Sequence, residues 1–267
     1  MIANFFQSLD RNQVEYLLIS GQAAVLYGAA TFSEDIDLWI NPTEKSRDRF
    51  IAALRDCQAC YYKLTPPLTI EHLQHGHGFH FILPGGEAAE IFLDVMGNPP
   101  RAGSFAGSLA TAGWMETEWG AIRTIGIQPL VELKKTQRLE DYPIISKLAL
   151  AWFDQPECAG TAADFLWALQ NIFTLPELTV FFIEHPVAVE VATGQFNREV
   201  AEFGRQLLAG GEVSESVERR VGEMFQGRIA ELQRTDRHYW RDIIRQLKGL
   251  RGADQLMPEG QKVSAVI

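Results

Sequence analysis

Asp35 and Asp37 stand two residues apart in SEDIDLWIN, a run whose apolar residues read as a strand. Side chains alternate along a strand, so the two carboxylates share a face, about 7 Å apart. Asp94, in the later run IFLDV, is a candidate third carboxylate and shares a face with Glu90 and Phe92. Carboxylates converging from neighbouring strands repel one another unless a cation lies among them, which points to Mg2+ or Mn2+. A metal so held bridges a triphosphate and activates an attacking hydroxyl. For a lone D-x-D the alternative is an edge strand whose acids are simply solvated.

The elements that must position these residues follow from periodicity. A helix over residues 3–13 feeds a strand over 15–20, and Ser20, Gly21 and Gln22 form a small-residue turn into a helix over 23–27. Backbone N–H groups at such a turn make a phosphate cradle. The strand carrying Asp35 and Asp37 stops at Asn41 and Pro42, and Thr43 caps a helix over 44–57. Residues 78–83 and 90–95 read as a hairpin closed by Pro84, Gly85 and Gly86, with a further strand pair at 114–119 and 122–127. Helices are expected over 129–136, 139–152, 161–173, 177–184, 196–209, 212–232 and 236–250. The expected architecture is α/β (α+β), a mixed sheet flanked by helices over residues 1–155. A helical domain over 156–251 and a tail over 252–267, whose lack of periodicity reads as disorder, would follow.

A second cluster lies in KKTQRLEDYP. On a helix Lys134 and Arg138 share a face, and Lys135 lies about 100° around from Lys134. Such a face neutralises phosphate charge, with Asp141 orienting Arg138 or Lys135; the alternative is a solvated helix surface. His72, His75, His77 and His80 crowd together downstream of Cys57 and Cys60, but His72 and His75 are one residue too close for a zinc finger, and nothing like a thioredoxin strand precedes the Cys57-x-x-Cys60 pair. His77 and His80 straddle a strand start on opposite faces, so one of them can face the cleft. Phe165, Trp167, Phe173, Phe181 and Phe182 read as a helical core. Arg228, Arg234, Arg237, His238, Arg241 and Arg245 form the basic region, interrupted by Glu231, Asp236 and Asp242.

Glycine turn, short helix, D-x-D on a strand and a single Asp on a later strand together resemble the nucleotidyltransferase superfamily, with the DNA polymerase β type of fold. The closer likeness is to the bacterial branch that includes the AbiEii-like toxins and spans roughly residues 14–150. The resemblance implies that Gly21 and Gln22 hold an NTP through backbone N–H groups, and that Asp35 and Asp37 bind Mg2+ (or Mn2+). Asp94 would complete the metal site and act on the incoming hydroxyl. Lys134 is carried over as catalytic, and Ser33, Lys135, Arg138 and Asp141 as nucleotide-binding. Gln22 stands where the family has Gly or Ser. The activity so implied moves NMP to a hydroxyl on an RNA such as tRNA, a protein or a small molecule, releasing pyrophosphate. A non-catalytic nucleotide-binding or toxin-antitoxin module on the same fold, with a cognate antitoxin as partner, is the alternative; a metal-dependent phosphohydrolase is a weaker one.

Composition bounds these readings. The 267 residues hold 46% hydrophobic and 22% charged residues, as an ordinary globular chain does. A formal net charge of −10 argues against coating nucleic acid, which needs excess Lys and Arg. Three cysteines suit a reducing compartment better than a disulfide framework. With no apolar run of about 20 residues and no leader-like start, the expectation is a cytoplasmic protein without membrane contact.

Overall fold

A computed structural model describes residues 2–84 and 90–264; Gly85 and Gly86, assigned above to the hairpin turn, lie outside the described residues. Helix α1 (Ile2–Arg11) leads to β1 (Tyr16–Ile19), α2 (Ser20–Leu26), β2 (Ile36–Ile40), α3 (Glu44–Asp56), β3 (Cys60–Tyr61) and α4 (Ile70–His75). Then come β4 (Gly78–Leu83), β5 (Ile91–Met96), α5 (Phe105–Ala110), β6 (Gly113–Thr117), β7 (Gly120–Thr124) and α6 (Ile127–Lys134). The seven strands form one mixed sheet in the order β3-β4-β5-β2-β1-β7-β6. β1 runs antiparallel to β2, and β2 runs parallel to β5.

Burial explains that order. All four residues of β1 are buried, as a central strand covered on both faces requires. One face of the sheet carries Leu18, Leu38, Leu93, Val95, Phe79 and Phe81, all fully buried, and packs on Phe5, Phe6 and Leu9 of α1 and Phe50 and Leu54 of α3. The opposite face is freed for chemistry, because the period of two sends Asp37, Asp94 and His80 there. On that face Trp39 anchors the lower end, its indole edge-on to Phe105 and its Nε1 donating to the Gly97 carbonyl at 2.8 Å. The Thr43 hydroxyl accepts from the Ser46 N–H at 3.2 Å, so α3 begins where the capping residue placed it.

The remaining elements are helical: α7 (Asp141–Ala151), α8 (Ala162–Asn171), α9 (Leu175–Glu184), α10 (Ala188–Val191), α11 (Arg198–Gly210) and α12 (Glu215–Gly252). Thr161 and Asp164 close a reciprocal capping box on α8. Phe165, Phe181 and Phe182 are buried in this core and Phe173 is 4% exposed, while Trp167 is half-buried edge-on to Trp152.

Three local expectations change. The helices expected over 212–232 and 236–250 are one, α12, since nothing between them breaks a helix. The Thr235 hydroxyl donates back to the Glu231 carbonyl, and Asp236 is buried and accepts from Gln137 Nε2 at 3.2 Å. Residues 105–110, read as loop, are α5, capped by Ser104. The final stretch is ordered as far as residue 264: the Tyr61 N–H donates to Gln261, the Val263 N–H to Ala59, and Val263 joins the core. The chain groups into two compact units, Met1–Leu26 with Ala30–Leu133 and His238–Ile267, and Tyr27–Ala29 with Lys134–Arg237, whereas the sequence reading drew its line near residue 155.

Candidate functional site

The site is built outward from the end of β1. Ser20 takes a left-handed conformation, φ 58°, which turns the chain directly into α2. A Cβ on Gly21 would fall 2.9 Å from Ser33 Cβ and closer still to its hydroxyl, so only glycine lets this turn approach the loop. The Gln22 amide then donates to the Ser33 carbonyl at 2.7 Å, and the Ser33 hydroxyl to the Asp35 carbonyl at 3.4 Å. The glycine turn therefore grips the segment that delivers the acids. Asp35 comes immediately before β2 rather than inside it.

Register does the rest. Ile19 pairs with Asp37 across β1 and β2, Asp37 with Asp94 across β2 and β5, and Asp94 with His80 across β5 and β4. Four strands thus set Ile19, Asp37, Asp94 and His80 in one row. His80 Nδ1 lies 2.7 Å from Asp94 Oδ1, and because an ionised carboxylate only accepts, the imidazole donates. The three polar residues open on a cavity of about 270 Å³. A larger cavity of about 400 Å³ beside Arg55 and Lys262 offers a single carboxylate, Asp56, and no comparable set.

Burial raises the Asp35 carboxyl above the usual carboxylate range; the charge of Asp94 adds to the rise, Lys63 opposes it, Glu34 adds and His80 opposes. Like charges that disturb one another in this way are relieved by a proton or by a cation. Among the described residues no group of three or more His, Cys, Asp or Glu is arranged to hold a metal ion. Mg2+ does not need one, since it usually keeps several waters and takes one or two carboxylates together with substrate phosphates. Asp37 and Asp94, with Asp35 beside them, fit such a cation in donor type.

The other sequence candidates make the following contacts, each within its own compact unit. α6 ends at Lys134, so Lys134 and Arg138 do not share a helix; the backbone turns at Thr136, whose N–H donates to the Lys134 carbonyl. Both cations converge on Asp141, Lys134 Nζ at 3.1 Å and Arg138 Nε at 3.0 Å, with the Thr136 hydroxyl donating at 2.7 Å. Lys134 is 4% exposed, so its ammonium answers a buried carboxylate within the second unit; Lys135 is half-buried. Cys57 and Cys60 are free thiols. His77 is fully buried, its Nε2 2.8 Å from Gln246 Oε1, while His72 Nδ1 lies 2.9 Å from the Pro67 carbonyl. The Arg228 guanidinium lies over the rings of Phe173 and Phe196 and donates to the Leu169, Gln170 and Ile172 carbonyls at the end of α8; burial lowers its pKa to about 10.

Sequence reasoning left His80 as one of two histidines able to face the cleft, and missed Trp240, Ile243 and Leu247, which line the same cavity. Their spacing of three and four is an apolar helix stripe, the signal that would have flagged them. Compared with models of known protein families and with curated protein sequences, the chain has no significant match.

Proposed function

We propose that the chain is a nucleotidyltransferase, moving NMP from an NTP to a hydroxyl acceptor and releasing pyrophosphate. The observation that carries this reading is the register pair Asp37 and Asp94 on parallel neighbours β2 and β5, next to the turn from β1 into α2. Asp37 and Asp94, with Asp35, would hold Mg2+ (or Mn2+), which when bound supplies charge neutralisation and Lewis acidity at the triphosphate. The Gly21 and Gln22 N–H groups, at the start of α2 where helical donors lack partners, would receive phosphate oxygens. The acceptor oxygen bonds the α-phosphorus, the bond from that phosphorus to the bridging oxygen breaks, and pyrophosphate leaves with the electron pair. The hydroxyl proton passes to the carboxylate of Asp94, which His80 holds in place.

The test is incubation of the purified chain with each α-labelled NTP, Mg2+, and RNA, protein or small-molecule acceptors. Label in an acceptor, lost in Asp37→Asn, supports the reading. An active preparation that keeps full turnover with Asp37→Asn overturns it.

A second reading, a non-catalytic nucleotide-binding or toxin-antitoxin module, draws on Gln22 and Lys134. The side-chain amide of one is committed to Ser33 and the ammonium of the other to Asp141. Saturable NTP binding without product for any acceptor favours that module.

A further inference from the structure

The cavity over Asp37 and Asp94 has two unlike sides. Trp240, Ile243 and Leu247 form a stripe along the last part of α12, within the same compact unit as the carboxylates, and Ile19 and Met96, in the sheet next to Asp37 and Asp94, add apolar lining. The polar groups, Asp37, Asp94 and His80, are gathered at the row of paired strands. The wall is tied down: the Tyr239 hydroxyl donates to the Asn98 carbonyl at 3.2 Å, and the Gln246 amide bridges His77 and His75 at 2.8 and 2.7 Å. Gly76, at φ +88°, makes the first tie possible, because a Cβ there would fall 2.8 Å from the Asn98 carbonyl and against the Tyr239 hydroxyl.

The geometry points to a binding site for a single-ring aromatic hydroxyl compound, a phenol, with its ring against Trp240 and Leu247 and its hydroxyl turned to Asp94. The volume of about 270 Å³ lies below the roughly 300–1,000 Å³ of sites for drug-sized ligands, so the occupant is about one ring in size. A polyol is excluded by the wall, where each hydroxyl set against Ile19, Met96 or Ile243 would lose its water partners without replacement. Asp37 and Asp94 accept, and the His80 Nδ1–H is already given to Asp94, so a hydroxyl that donates to Asp94 is the polar end this site matches. The inference rests on the transfer reading only in making that hydroxyl the acceptor of NMP.

The experiment titrates the full chain, without NTP or divalent metal, with p-cresol, with N-acetyl-tyrosinamide and with toluene. Binding is read by calorimetry and by the indole N–H resonance of Trp240, assigned by its loss in Trp240→Phe. Saturable p-cresol binding that shifts this resonance, at least about ten-fold tighter than toluene, is expected, since a site made to accept a hydroxyl discriminates against the ring that lacks it. Tighter binding of N-acetyl-tyrosinamide than of p-cresol assigns the phenol to a tyrosyl side chain, and the reverse to a free small molecule. Leu247→Trp, filling the cavity, should abolish binding with an unchanged circular dichroism spectrum. Equal affinity for p-cresol and toluene in the wild-type chain overturns the proposal, whether or not the variant folds. Because neither NTP nor metal is present, that failure would leave transfer to RNA or protein standing, and a failure of transfer would leave the binding result standing.

Discussion

Gln22, Asp35 and Lys134 each met a fate that their residue type alone does not foretell. Gln22 occupies the glycine turn as a clasp, with its amide on the Ser33 carbonyl, and Gly21 is small because Ser33 lies against it. Gly21→Ala should therefore destabilise the fold by about 1–3 kcal/mol, the range for overpacking, and Ser33→Gly in the same chain should recover most of the loss. Denaturant unfolding of the single and double variants decides it; no recovery would place the strain elsewhere. Lys134 was expected to be catalytic, yet it is buried on Asp141 together with Arg138 and Thr136. Removing Lys134 leaves Asp141 Oδ1 without its donor while Arg138 and Thr136 still hold Oδ2, so Lys134→Met should cost about 1–3 kcal/mol. A variant with wild-type stability and no turnover would instead return Lys134 to the chemistry. At the carboxylates, Asp37→Asn should abolish transfer, while Asp94→Asn should keep part of the nucleotide binding, measurable by calorimetry with a non-hydrolysable NTP.

At the scale of elements, the sheet's division of labour decides the site. Six apolar side chains of β1, β2, β4 and β5 commit one face to α1 and α3, and alternation delivers Asp37, Asp94 and His80 to the other. The last part of α12 meets that sheet through His77, whose pKa is lowered from 6.5 by burial first and then by the nearby His72 and His75, against the raising effect of its bond to Gln246. A folded pKa below the unfolded one means that the unfolded chain binds more protons in the window between them. This contribution to stability is therefore complete above about pH 6.5 and is lost as pH falls through the folded value. Thermal midpoints should drop on acidification below pH 6.5, and less steeply in His77→Gln, which cannot titrate there; parallel profiles would exclude His77 as the source.

In the whole molecule, the first compact unit is assembled from three stretches of chain, the last of them beginning at His238. A fragment of residues 1–155, the domain drawn from sequence, lacks Ile243 and Val263, buried to 3% and 6% exposure, and the backbone bonds that the end of the chain makes to Ala59, Tyr61 and Thr65. It should melt well below the full chain or precipitate; an equal midpoint would show that residues 238–264 add nothing. Among the described residues no helix is long and apolar enough to cross a membrane. Much of the architecture was legible in advance where the signal is local: the apolar run of β1, the Thr43 cap and the phenylalanine core of the helices. Those depend on neighbours within a turn or two of chain, and the residue types by themselves determine them, whereas Asp35, expected to alternate with Asp37 on one strand, lies just before β2. The pairing of Asp37 with Asp94, the bond from His80 to Asp94, the burial of Lys134 and the placing of Trp240, Ile243 and Leu247 at the cavity over the carboxylates were decided only in the tertiary structure. Strand register and the docking of a distant helix are set by which apolar faces bury together, and that choice is made between segments tens to hundreds of residues apart.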